Sequence, residues 1–337
     1  MEQARWRRAA TAGQWQAGGR IMIDPQVAEF ARRLSAAYAA QGTPRSLAAR
    51  RQVAEAVRRP WRLGGPVMAT TQDRTIHGLR ARLYRPQPRA DQPDGPQPVM
   101  LYLHGGGWVL FSIDTHDRLM REYAARAGIA VLGLDYSRAP EAKFPVAVNE
   151  VAATLTWLEE QGAGLGLDPA QVIIAGDSAG ANLAVSACLI RRDAGGRSLA
   201  GMLLNYGAFD PRPTPSYALY SGPDHTLNGE EMEEFWAAYT SSPAQLSDPL
   251  VAPLRASLHD LPPAFLAIAE RDILADSNHA FAAALRQAGG EVTAVSYPGA
   301  THSFLEAMSI APLARRALDD QAAWIRQICA MDVRADA

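Results

Sequence analysis

Apolar positions three and four apart open the ordered part of the chain. Val27, Phe30, Leu34 and Tyr38 recur this way in DPQVAEFARRLSAAY, which predicts an amphipathic helix. Asp24 suits its N-cap and Pro25 its first position. SLAARRQVAEAV predicts a second helix, so residues 24 to about 59 form a helical prelude. The pattern then changes period. In GLRARLYRP, Leu79, Ala81 and Leu83 alternate with Arg80, Arg82 and Tyr84, the signature of a half-buried strand. A Pro- and Asp-rich loop, PQPRADQPDGPQP, separates it from a series of unbroken apolar runs: VMLYLHGG, IAVLGLDY, QVIIAG, LAGMLLNYG, AFLAIAE and EVTAVSY. Continuous apolar runs suit strands covered on both faces, as in a parallel sheet. Helical stretches lie between them, near 114–127, 145–161, 179–192, 276–288 and 311–329. Strand and helix alternate, which predicts an α/β protein with a doubly wound sheet. One interval, 211–262, has no clear strand but contains GEEMEEFWAAY, and is expected to be an inserted helical excursion.

Composition narrows the classes without choosing among them. The chain has 337 residues, 48% hydrophobic and 20% charged, with net charge −2. No basic excess points to nucleic acid, and no run of ~18 apolar residues predicts a membrane span. Arg7 and Arg8 are not followed by an apolar stretch, so no secretory signal is expected. Residues 1–21 are expected to be a flexible tail, with Met22 a candidate start. Two cysteines, Cys188 and Cys329, make no disulfide framework; both are expected to be packing residues in a cytoplasmic protein.

The chemistry concentrates where apolar runs end. GDSAG, residues 176–180, follows one run and leads into a helix. G-x-S-x-G arises by accident in roughly one chain in ten of this length, so its surroundings decide. A strand–turn–helix elbow pinches the backbone and needs small residues on both sides, here Gly176 and Gly180. Such a turn lifts the Ser178 hydroxyl out of the sheet, beside a helix N-terminus. The competing reading is a tight turn without chemistry. A serine needs a base, and the base an orienting acid. Of His225, His259, His279 and His302, only His302 directly follows a predicted strand. Among Glu270, Asp272 and Asp276, Asp272 sits just past a strand end, and Asp276 suits a helix cap. HGGGW, residues 104–108, follows an earlier strand. Its backbone N–H groups, with that of Ala179, suit a tetrahedral oxyanion; the alternative is a glycine hinge. His104 reads as fixing the loop. No H-E-x-x-H or paired C-x-x-C appears, so no metal is expected. The EEMEE carboxylates read as a solvated helix face.

These motifs, with YSRAPE (136–141) and KFPVAVNE (143–150), resemble the hormone-sensitive-lipase-like (bacterial family IV) esterases, and among them most nearly the bacterial acetyl esterases. The resemblance covers roughly residues 22 to 328. It implies an α/β-hydrolase core of eight mostly parallel strands with helices on both faces. It also implies a helical cap from residues 22–60 and the 211–262 insertion, around a core of 61–210 and 263–330. The family's nucleophile, acid and base map to Ser178, Asp272 and His302, and its oxyanion donors to Gly105, Gly106 and Ala179. The chain departs from the family at Ala181, at Ser303 where glycine is usual, in YSRAPE, and in the DIL after the acid. The expected activity is hydrolysis of short- to medium-chain acyl esters through an acyl-enzyme, with a small-molecule ester as partner and no cofactor. An amidase, carbamate hydrolase or lactonase with the same triad, or a non-catalytic ligand receptor, is kept as an alternative. Trp108, Phe111, Tyr206, Phe209, Trp236 and Tyr239 fit pocket or core equally. Oligomeric state is left open, a homodimer included.

Overall fold

Eight strands form one sheet in the order β1-β2-β4-β3-β5-β6-β7-β8. The coordinates are those of a computed structural model and describe residues 22–88, 95–222 and 224–335, with side chains to residue 329. The expected tail at 1–21 lies outside the described residues. The strands are β1 Thr70–Ile76, β2 Leu79–Arg85, β3 Gln97–Leu103, β4 Ala130–Leu134, β5 Leu167–Asp177, β6 Gly201–Asn205, β7 Ala264–Arg271 and β8 Val292–Thr301. β2 pairs antiparallel with both β1 and β4, and every other pairing is parallel.

The unbroken apolar runs follow from burial on both faces. In β3, Val99, Leu101 and Leu103 join one core cluster, and Met100 and Tyr102 join the other. Side chains alternate with period two, so a strand covered on both sides is apolar at every position. Helices α4 (Val146–Gln161), α5 (Ala179–Asp193) and α8 (Ala275–Gln287) cover one face. Helices α1 (Pro25–Gln41), α3 (Asp117–Ala127) and α9 (Pro312–Ala335) cover the other.

The two edge strands escape the apolar pattern: Val292–Ser296 of β8, expected to be covered on both faces, are half-buried or exposed. β1 reads TTQDRTI and is exposed along most of its length, because it is an edge strand. It reaches β2 through His77 and Gly78, both at positive φ (49° and 83°), which suits a two-residue hairpin. The interval after β6 is helical, with α6 (Pro215–Tyr220) and α7 (Gly229–Tyr239) and, among the described residues, no strand before β7. Helix α2 (Leu47–Arg58) completes the N-terminal pair, capped by the Ser46 hydroxyl on the Ala49 N–H.

Candidate active site

Parallel strands present their carboxyl ends at one edge of a sheet, and loops from that edge converge. Here β3 runs into His104, β5 into Ser178, β7 into Asp272 and β8 into His302. Four segments far apart in sequence thus meet.

Ser178 stands between β5 and α5 with φ 54° and ψ −116°, a strained conformation for a residue with a side chain. The pinch explains the glycines. A Cβ at Gly176 would lie 2.5 Å from the Gly180 carbonyl carbon, and one at Gly180 would press into the Leu103 carbonyl. The Ser178 N–H donates to the Asn205 carbonyl at 2.9 Å, tying the turn to β6.

His302 Nε2 lies 3.0 Å from Ser178 Oγ, and His302 Nδ1 lies 2.6 Å from Asp272 Oδ2. An ionised carboxylate only accepts, so the proton on Nδ1 faces Asp272 and Nε2 is left to accept from the serine. Asp272 is 2% exposed, and its other oxygen accepts the Leu274 N–H at 3.0 Å. The ring of Tyr206 meets the His302 ring edge-on, 5.0 Å between centroids. Thr226, from the interval between α6 and α7, donates its hydroxyl to the His302 carbonyl.

The other candidates are occupied elsewhere. Glu270 accepts the Gly299 N–H at 2.9 Å, which shapes the loop leading to His302. Asp276 accepts the Ser216 N–H at 2.9 Å and so tethers α6 to α8. His259 is exposed beside Asp260, and His279 lies within α8. His225 lines the cavity over Ser178, but no hydrogen bond joins it to the serine.

The glycine loop requires a correction. Gly105 was expected to offer its N–H to an oxyanion, but that N–H donates to Asp177 Oδ1 at 3.1 Å. Gly105 is glycine because a Cβ there would collide with the Asp177 carboxylate. Gly106 and Gly107 line the cavity with Ser178 and His302, and Gly105 does not. No protein acceptor takes the Gly106 or Gly107 N–H among the described residues. The Ala179 N–H opens α5 and has no intrahelical partner.

Asp177 is fully enclosed. It accepts from the Tyr102 hydroxyl at 2.7 Å and lies 3.3 Å from His116 Nε2. Burial alone would push its carboxyl up; His116 and the hydrogen bonds outweigh that and hold it below the ordinary 3.8. His104 is buried and stacks on Tyr136, 4.3 Å between centroids, with its Nδ1 2.7 Å from the Gly105 carbonyl.

Above the serine lies a cavity of about 930 Å³. Of the six aromatic residues considered for it, only Phe111 lines it. Trp108 stacks on Tyr239 and tilts against Trp236, and Phe209 stacks on Phe281, so these pack the interior. Sequence reasoning missed Tyr38, Arg50, Arg58 and Phe235, which do line it. Within EEMEE, Glu234 is exposed as expected, while Glu231 is half-buried in the cavity wall; both pair with Arg50, at 3.1 and 3.3 Å. Only the arrangement of α2 against α7 reveals this.

A family model described as alpha/beta hydrolase fold matches residues 100–306. The chain is similar to a hyperthermophilic esterase from the archaeon Pyrobaculum calidifontis, with 32% identity over 91% of this chain and 99% of that one, at TM-score 0.83. It is similar to a thermostable esterase from Pseudomonas putida, with 30% identity over 92% and 98% of the two chains, at TM-score 0.82. A thermophilic carboxylesterase cloned from a metagenomic library shares 33% identity over 84% and 97%, at TM-score 0.79.

Proposed function

The chain belongs to the α/β-hydrolase fold family, in its hormone-sensitive-lipase-like branch, and from that membership and the site geometry we propose a serine carboxylesterase with Ser178 as nucleophile, His302 as base and Asp272 as orienting acid. The observation that carries this reading is the unbroken chain of contacts, 3.0 Å from Ser178 to His302 and 2.6 Å from His302 to Asp272. Ser178 Oγ attacks the ester carbonyl as its proton moves to His302 Nε2. The tetrahedral oxyanion takes the N–H groups of Gly106, Gly107 and Ala179, each without a protein acceptor among the described residues. His302 returns its proton to the departing alcohol, leaving an acyl-serine. Water attacks that ester, losing a proton to Nε2, and as the acid departs His302 returns that proton to Ser178 Oγ. Every proton is accounted for by the one imidazole, and no step calls for a cofactor.

The substrate is a small-molecule ester. We assign short- to medium-chain acyl groups, because Arg50, Arg58, Glu231 and Glu234 in the cavity wall disfavour burying a long apolar chain there. Helices α1 and α2 and the α6–α7 interval act in this reading as the cap. A cytoplasmic location and pairing of two copies stay part of the proposal; light scattering tests the latter. Among the described residues no helix is long and apolar enough to cross a membrane.

Ser178→Ala decides the central point. On p-nitrophenyl acetate and butyrate its kcat should fall by about 10⁵–10⁶, as expected when a triad nucleophile is lost. Turnover matching the parent protein would refute the assignment. Acetate and butyrate should be cleaved faster than palmitate.

A further inference from the structure

We propose that Arg58 is a positioning residue that holds the loop carrying His302 and the loop carrying the oxyanion donors in fixed relation to each other. The inference rests on the esterase reading above. Arg58 is the last residue of α2 and is 5% exposed. Its Nη1 lies 2.8 Å from Glu306 Oε2, an ion-pair contact between two almost fully buried side chains. Glu306 sits in the 3-10 turn Phe304–Ser309, four residues after His302. The guanidinium carbon also lies 4.8 Å from the centre of the Phe111 ring and 5.8 Å from that of Phe30 in α1. Phe111 in turn packs on the glycine loop: a Cβ at Gly106 would come within 2.8 Å of its ring. One cation therefore touches the segment behind the base, the segment behind the oxyanion donors, and α1.

Both segments need such a hold. Phe111 has φ 65° and Ser303, next to His302, has φ 60°. Left-handed backbone at residues with side chains is costly and persists only where the surroundings over-determine it.

Arg58 is the end of a longer grip. Arg51, Glu55 and Arg58 are spaced i, i+4 and i+7, which places them on one face of α2. Arg51 Nε donates to the Val109 carbonyl at 2.9 Å, and Glu55 accepts the Ser112 hydroxyl at 2.7 Å. With Phe111 beneath Arg58, this face follows the loop from 109 to 112. Of the three, Arg58 alone extends the grip to the turn behind His302. A buried ion pair is weak evidence for stability, because apolar side chains of equal volume do as well or better. What the pair adds is a fixed distance and direction between two loops.

The test uses the full chain with p-nitrophenyl acetate. Arg58→Met and Glu306→Gln should each lower kcat by about 10- to 100-fold, the scale of a small misplacement of catalytic groups. Arg58 also lines the cavity, so in both variants kcat should fall by a larger factor than KM rises. The double variant should be no worse than either single one, because each breaks the same link. Arg58→Lys keeps the charge and should recover part of the lost kcat. Should Arg58→Met fail to fold, the near-isosteric Glu306→Gln decides. Folded variants with parental kcat would overturn the proposal, as would losses that multiply in the double variant or a change confined to KM. Failure of the esterase reading is separate: the unmodified protein would then show no Ser178-dependent turnover.

Discussion

Gly176 and Gly180 have no room for a methyl group, and that sterics is the physical content of the motif around Ser178. Gly176→Ala or Gly180→Ala should cost about 1–3 kcal/mol or more, because the added carbon meets backbone that has little freedom to move. A thermal midpoint equal to that of the parent would contradict the packing described. The proposed nucleophile, acid and base, Ser178, Asp272 and His302, stand out as candidates in the sequence because each comes shortly after an apolar run. Gly105 could not be told from Gly106 or Gly107, since three adjacent glycines look alike; the choice rests on Asp177, 72 positions away. That carboxylate also gives a pH signature. Burial pushes His116 down, but the charge and hydrogen bond of Asp177 together with the charge of Glu306 outweigh it, so the folded ring holds its proton above the ordinary 6.5. Its stabilisation is complete below that value and is lost as pH rises through the raised one. Asp177 is the mirror case, stabilising above 3.8 and losing that share as pH falls through its lowered value. The gap in thermal midpoint between the parent and His116→Gln should therefore be widest near about pH 5–6 and narrow toward pH 9. A gap that grows with pH would show the sign to be wrong.

Helix α7 shows how an element far from the sheet acts on the site. Asn228 caps it by accepting the Glu231 N–H at 2.8 Å, and its Phe235 ring fills the place a side chain at Gly107 would need. Phe235→Ala should cost about 3–5 kcal/mol as a buried aromatic truncation, and should shift the acyl preference toward bulkier groups by enlarging the cavity. An unchanged substrate profile in a destabilised variant would limit Phe235 to packing. Its face was legible only in part, because apolar spacing predicts a buried stripe but not what the stripe touches. The acidic stretch before Phe235 is solvated as expected at Glu230, Glu233 and Glu234, but Glu231 is half-buried, and Glu231 and Glu234 meet Arg50 of α2, because two helices distant in sequence meet at the cavity. Strand β1 was missed for the opposite reason: an edge strand needs backbone partners more than apolar side chains.

Across the whole molecule, the sheet buries nearly everything between the two helical layers, Cys188 included. Burial pushes its thiol up to about 12, so almost no thiolate exists near neutral pH. Iodoacetamide at about pH 8 should leave Cys188 unmodified in the native protein and label it after unfolding; rapid native labelling, read by peptide mass, would mean the layer over α5 opens readily.

Alternating apolar runs and helices determined the α/β class, the order of the seven inner or half-buried strands, and which residues stand at strand ends. These are local properties: period, turn chemistry and the small residues a pinched backbone requires. Tertiary structure decided which N–H groups remain uncommitted, which aromatic side chains pack inward, and which charges wall the cavity. Those depend on neighbours tens to hundreds of residues away, brought together only when the parallel strands align their carboxyl ends and α1, α2 and α7 close over them.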